Sequence, residues 1–172
     1  VLSHTADITI DVADGKTLTY SGAAVDLGAN TLTLSGDGTL SNTNALVLNN
    51  ASSKLLLNSI TVGSVSTSLA NSGLDVDNNS TVTSLTVGHT TPVSIASGRT
   101  LSGAITVTAG SIKLDEAGTL GSTVSMSGGT IDADASSTLS GTLTQSGAIT
   151  IDVADTKTLT YSGAAISLGA NT

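Results

Sequence analysis

The chain has 172 residues and a net charge of −8, yet only 10% of its residues are charged and only five are basic. Five basic residues make no phosphate-tracking stripe, and Tyr20 and Tyr161, the only aromatics, make no platform for base stacking, so nucleic-acid binding is excluded. Without cysteine there is neither a disulfide framework nor a thiolate metal site, and no apolar run approaches the ~18–20 residues of a membrane span.

Polar small residues dominate, but mean hydropathy is positive, and Leu, Val and Ile recur in short alternating runs. That pattern belongs to an ordered all-β chain rather than to disorder. The first element sets a motif: Ile10-Asp11-Val12, a turn at Ala13-Asp14-Gly15-Lys16, then Thr17-Leu18. It recurs at Leu32-Thr33-Leu34 to Thr39-Leu40, Leu46-Val47-Leu48 to Lys54-Leu55, Leu74-Asp75-Val76 to Thr81-Val82, and Val93-Ser94-Ile95 to Thr100-Leu101. Further copies are Ile112-Lys113-Leu114 to Thr119-Leu120, Ile131-Asp132-Ala133 to Thr138-Leu139, and Ile151-Asp152-Val153 to Thr158-Leu159. The closing apolar residues are separated by 22, 15, 27, 19, 19, 19 and 20 positions. Turns such as Asp77-Asn78-Asn79-Ser80 carry residues that tolerate turn geometry and bond their own backbone.

A third alternating run follows in most copies, as in Thr100 to Val107, and returns at 119–126 and 138–145. Three strands and three turns per coil of about 20 residues predict an all-β, right-handed parallel β-solenoid, with Leu, Val and Ile inside and Thr, Ser and Asp outside. One continuous solenoid is expected over residues 1–172. An immunoglobulin-like sandwich array would instead need repeats of ~100 residues and a core aromatic.

The last element repeats the first. Residues 8–31 and 149–172 are identical at 21 of 24 positions, differing only at Gly15/Thr156, Val25/Ile166 and Asp26/Ser167. The offset is 141 residues, so seven coils fill one long unit, which rises roughly 34 Å at about 4.8 Å per coil. A fixed period of this kind points to length, reach and surface display rather than catalysis.

The run from Gly28 to Leu40, GANTLTLSGDGTL, and the stretch Ala13-Asp14-Gly15-Lys16-Thr17-Leu18-Thr19 resemble the Gly-rich repeats of bacterial autotransporter passenger domains. More broadly the chain is similar to large repetitive surface adhesins and filamentous β-solenoids. The resemblance implies a secreted or surface-displayed bacterial β-helix with an adhesive or stalk role, and it supplies no catalytic residue.

The residues themselves offer little chemistry. His4 and His89 are the only histidines, and the repeat replaces His4 by Gln145. The pairs Asp75/Asp77 and Asp132/Asp134 span strand ends and turns, where carboxylates serve solubility and turn formation. No enzyme and no obligatory cofactor are expected. Asp11, Asp75, Asp132 and Asp152 are read as one outward column, with Lys113 one coil before Asp132. Asp132 and Asp152 on successive coils are the candidate calcium ligands, against a solvated acidic face. Outward Thr pairs (Thr17/Thr19, Thr81/Thr83, Thr158/Thr160) resemble the flat ranks of some ice-binding solenoids, although Lys54/Leu56 and Thr119/Gly121 interrupt them.

Two further expectations concern contacts. The 15- and 27-residue gaps leave Val47 and Leu56 as apolar outward residues, with surplus chain at 65–73, so either that surplus is expected to fold over Val47 and Leu56 or a lateral contact with a neighbouring fibre is expected to cover them. Neither end reads as a cap, so the expected partners are further copies of the repeat, covalent or stacked head-to-tail, at a cell surface or in an extracellular matrix.

Overall fold

Alternation with period two and polar corners every six to eight residues leave this chain one way to bury its apolar half. It coils, and each strand pairs with the strand about 20 residues on. The computed structural model describes residues 5–67, 73–89, 93–114 and 116–166. Among these there are 20 strands and no helix, and every strand pairing is parallel. The fold is the expected parallel β-solenoid of about seven turns.

The strands stack in three faces. The first holds β1 (Ile8–Asp11), β4 (Thr31–Ser35), β7 (Lys54–Asn58), β9 (Gly73–Val76) and β11 (Val93–Ile95), continued by β13 (Ser111–Lys113), β16 (Thr130–Ala133) and β19 (Thr150–Val153). The second holds β2 (Thr17–Tyr20), β5 (Thr39–Asn42), the leading halves of β8 (Thr61–Thr67), β10 (Ser80–Val87) and β12 (Thr100–Val107), then β14 (Thr119–Leu120), β17 (Ser137–Leu139) and β20 (Leu159–Tyr161). The third holds β3 (Val25–Asp26), β6 (Leu46–Leu48), the trailing halves of β8, β10 and β12, then β15 (Thr123–Met126) and β18 (Leu143–Gln145).

Inward positions form stacks that run the length of the coil. One third-face stack is Val25, Leu46, Val65, Leu85, Ile105, Val124 and Leu143, each the register partner of the next. All seven are buried. Among the described residues the buried polar side chains have hydrogen-bond partners, and only the half-buried Gln145 leaves a buried atom, its Oε1, without one. Buried Asn42 donates from Nδ2 to the carbonyls of Asn44 (2.9 Å) and Ser64 (2.8 Å), and its Oδ1 accepts from the Gly63 amide (2.9 Å).

The third coil corrects the sequence reading. Leu46–Leu48 does not open it. Leu46 pairs with Val25 and Val65, which places β6 on the third face of the second coil. The first strand of the third coil is β7, where Leu55 pairs with Leu32 and Leu74, and its second strand begins at Thr61-Val62. An apolar-polar-apolar triplet occurs on all three faces, so the triplet alone does not say which face it occupies. With Val62 as the closing residue, the separations become 22, 22 and 20 from Leu18 through Leu40 and Val62 to Val82. The irregular gaps vanish. Val65 is a buried core residue rather than surplus chain, and residues 68–72 lie outside the described residues.

One bulge interrupts the stacking. Val82 pairs with Gly103 but Ser84 with Ala104, and Gly103 adopts φ 121°. A Cβ built there would overlap the Val82 carbonyl oxygen. At Gly141 a Cβ would meet the Ser122 carbonyl in the same way, so both corners require glycine.

Two substitutions test this packing. Leu85→Ala, at a site with no solvent exposure between Val65 and Ile105, should cost about 2–5 kcal/mol in denaturant unfolding. Gly103→Ala should cost at least about 2 kcal/mol, because strain and backbone overlap act together. Near-native unfolding midpoints for both would contradict the register described.

Candidate functional surfaces

The charged residues concentrate on the first face and the turn that follows it. Two cross-coil ion pairs there share one geometry. Lys54 pairs in register with Gly73, and its Nζ reaches diagonally to Asp75 Oδ2 (2.5 Å). Lys113 pairs in register with Asp132, and its Nζ reaches diagonally to Asp134 Oδ2 (2.6 Å). In each, a lysine on one coil meets the carboxylate two residues beyond its register partner on the next. The side chains are partly exposed, so each pair contributes less than about 1 kcal/mol. The hydrogen bond that Lys54 donates to Asp75, together with the charge of that carboxylate, holds the Lys54 pKa above 10.5.

Asp132 and Asp152 are brought together as register partners on adjacent coils. Partial burial raises the Asp132 pKa above 3.8, the charges of Asp134 and Asp152 add to the rise, and Lys113 opposes it. Among the described residues no group of three or more His, Cys, Asp or Glu side chains is arranged to hold a metal ion. Asp11 does not join this column. It pairs with Ser35, whose hydroxyl donates to its Oδ1 (2.9 Å), while Asp75 stacks between Leu56 and Ser94. His89 is exposed, and His4 lies outside the described residues.

Val47 and Leu56 are half-buried, and they sit on different faces. Val47 lies between Asp26 and Ser66 on the third, Leu56 between Thr33 and Asp75 on the first. The fold does not bring them into one patch. Lys54 and Leu56, being on the first face, also do not interrupt the threonines of the second. There Thr17, Thr39, Thr61 and Thr81 are successive register partners, and so are Thr100, Thr119, Thr138 and Thr160. The third face adds hydroxyl contacts from Ser84 to Ser64 and from Thr144 to Ser125, both 3.0 Å, and its strands β6, β15 and β18 carry no charge.

The end coils expose apolar surface that the middle coils hide. Leu18 is 44% exposed, Ile151 45% and Val153 38%. A cleft of about 340 Å³ is lined by Ile10, Leu18, Tyr20 and Val25 of the first coil and by Leu40 and Leu46 of the second. In the last coil the Tyr161 hydroxyl accepts from the Leu143 amide (3.2 Å) and donates to the Ala164 carbonyl (2.5 Å), so a side chain satisfies backbone at that corner. Composition did not mark Tyr161 for that work, although its recurrence as Tyr20 is the signal that could have. Comparison of the chain with protein-family models, curated proteins and solved structures finds no match.

The acidic column yields a signed pH prediction. A carboxyl whose folded pKa is raised holds its proton better in the folded state, so its ionisation works against the fold as pH climbs past about 3.8. Asp132→Asn should therefore raise the melting temperature at pH 7 in chelator, and the gain should vanish near pH 3. If calcium stabilises the native protein at pH 7 but not Asp132→Asn, a cation bridges Asp132 and Asp152.

Proposed function

We propose that this chain is a structural, non-enzymatic length of an extracellular fibre, stalk or surface filament, joined end to end with further copies of its own repeat. One observation carries the reading. The segment 8–31 returns at 149–172 with 21 of 24 positions identical, and the first strands of both copies, β1 and β19, pair in parallel with a neighbouring coil of one continuous solenoid. Each added coil brings backbone hydrogen bonds and a further layer of the Leu/Val/Ile stacks, so stability grows by nearest-neighbour increments. That is the mechanics of a fibre. Secretion and display at a bacterial surface or matrix accord with the passenger-like repeats.

A second reading uses the same scaffold as a binding surface. Two runs of four stacked threonines on the second face favour it, since they offer uncharged hydroxyls at coil spacing for an adhesive or ice-like ligand lattice.

Filament imaging and sedimentation of the purified protein test the first reading. Concentration-dependent filaments with coil spacing near 4.8 Å and an axial period of roughly 34 Å are expected. A strictly monomeric protein at high concentration would remove head-to-tail stacking of separate chains. Thermal hysteresis, abolished by Thr39→Lys and Thr119→Lys together, would instead support the second reading.

A further inference from the structure

The repeated segment occurs twice in this chain, and the two copies show its two interfaces: the first pairs with the coil that follows it, the second with the coil that precedes it. In the first coil, Ile8 and Ile10 pair with Leu32 and Leu34, and Leu18 pairs with Leu40. In the last coil, Ile151 pairs with Ile131, and Tyr161, not Leu159, pairs with Leu139. Ile151 and Tyr161 are the repeat mates of Ile10 and Tyr20. The inward column of the first face therefore enters the segment from below at Ile10 and leaves it upward to Leu34. The column beside it leaves upward from Ile8 to Leu32.

The second face shows the accumulated effect. Its outward column runs through Thr17, Thr39, Thr61, Thr81 and Ser102. It continues through Gly121, Ser140 and Ser162, whose amides donate to the carbonyls of Leu101, Leu120 and Leu139. Ser162 is the repeat mate of Ser21, so after seven coils the column that began at Thr17 has advanced four residues along the unit. Half of that advance arises where Ser80 rather than Val82 opposes Leu101, and half where Tyr161 rather than Leu159 opposes Leu139.

We infer that the twice-occurring coil is an offset coupler: it adds two residues of register to the two gained where β10 meets β12, so along the second face successive units are displaced relative to the stacked columns and their surface stripes wind around the axis. The extension from one junction to an array rests on the end-to-end reading above. Four residues at about 3.3 Å each displace equivalent residues by about 13 Å, roughly a fifth of a coil. Thr158, the mate of Thr17, lies before Ser162 in the chain, so each unit is turned against the direction in which the chain winds. Any partner bound to one threonine stripe would follow a helical path and not a flat multi-unit face.

Because the chain lacks cysteine, paired substitutions read the register directly. Register partners on adjacent coils are about 4.8 Å apart, within disulfide reach, whereas a two-residue offset puts the pair beyond about 7 Å. On mild oxidation Thr138→Cys/Thr160→Cys should crosslink, at least about tenfold faster than Thr138→Cys/Thr158→Cys. On the other side of the coupler, Thr9→Cys/Thr33→Cys should crosslink faster than Asp11→Cys/Thr33→Cys. Thr119→Cys/Thr138→Cys, in register within the middle of the solenoid, must crosslink in every preparation to show that the coil is formed. With that control intact, faster closure through Thr158 or Asp11, or no closure at either junction pair, overturns the coupler. These crosslinks are read within one chain, so a monomeric protein would leave them in place while removing head-to-tail stacking.

Discussion

Every feature of this molecule depends on one constraint. The backbone of each strand has its hydrogen-bond partners about 20 residues before and after it, and nowhere else. Parallel pairing at that separation forces the chain to turn through three corners per coil. It also stacks like faces on like faces, so an inward position sits on inward positions throughout the described coils. The apolar interior is thus a consequence of register. Val25, Leu46, Val65, Leu85, Ile105, Val124 and Leu143 are buried because each lies over the one before it.

The same constraint disperses charge. With few basic residues, carboxylates on adjacent coils cannot all be neutralised, and direct stacking of like charges at the coil spacing is unfavourable. Lys54 and Lys113 reach diagonally to the next coil, placing Asp75 and Asp134 beside a cation while their register neighbours stay polar or uncharged on one side. Asp132 and Asp152 are the place where the pattern fails; burial first, then the Asp134 charge, raises the Asp132 pKa, and the stacked Asp152 adds to the rise. The hydroxyl-rich second and third faces avoid the conflict, because Thr and Ser there stack without charge, and on the third face hydroxyl pairs hydrogen-bond across coils.

Strand periodicity, the coil length and the long repeat were all legible in the sequence, since alternation and turn chemistry are local signals. Face assignment was not. Leu46-Val47-Leu48 and Leu55-Leu56-Leu57 satisfy the same inward-outward-inward pattern, and only pairing with Val65 and Leu74 distinguishes the third face from the first. That single ambiguity generated the apparent surplus chain, the pairing of Val47 with Leu56 as sites to be covered, and the apparent break of the threonine array at Lys54 and Leu56. The acidic neighbours Asp132 and Asp152 were legible because three successive coils around them keep near-constant spacing. Asp11 was misplaced because its coil has a longer first corner, which moves the strand two residues against its neighbour. Asn42, which satisfies backbone at a corner, carries no periodic signal, and Tyr161 carries only that of the 141-residue repeat, as Tyr20.

A long unit of dissimilar coils solves a problem that identical coils would create. If every coil matched its neighbour, a chain could skip one coil during folding and lose almost nothing, because each strand would meet an equally good partner. Here the corners differ from coil to coil. Gly103 and Gly141 accept close carbonyl oxygens from Val82 and Ser122, Asn42 needs the Gly63 amide and the Ser64 carbonyl, and Lys54 needs Asp75. Slipping by one coil breaks each of these, so mismatched stacks are penalised although the Leu/Val/Ile core would tolerate them. Near-identity returns only after 141 residues, where a slip would have to loop out seven coils at once. The repeat is therefore short enough to propagate one architecture and long enough to specify which coil comes next.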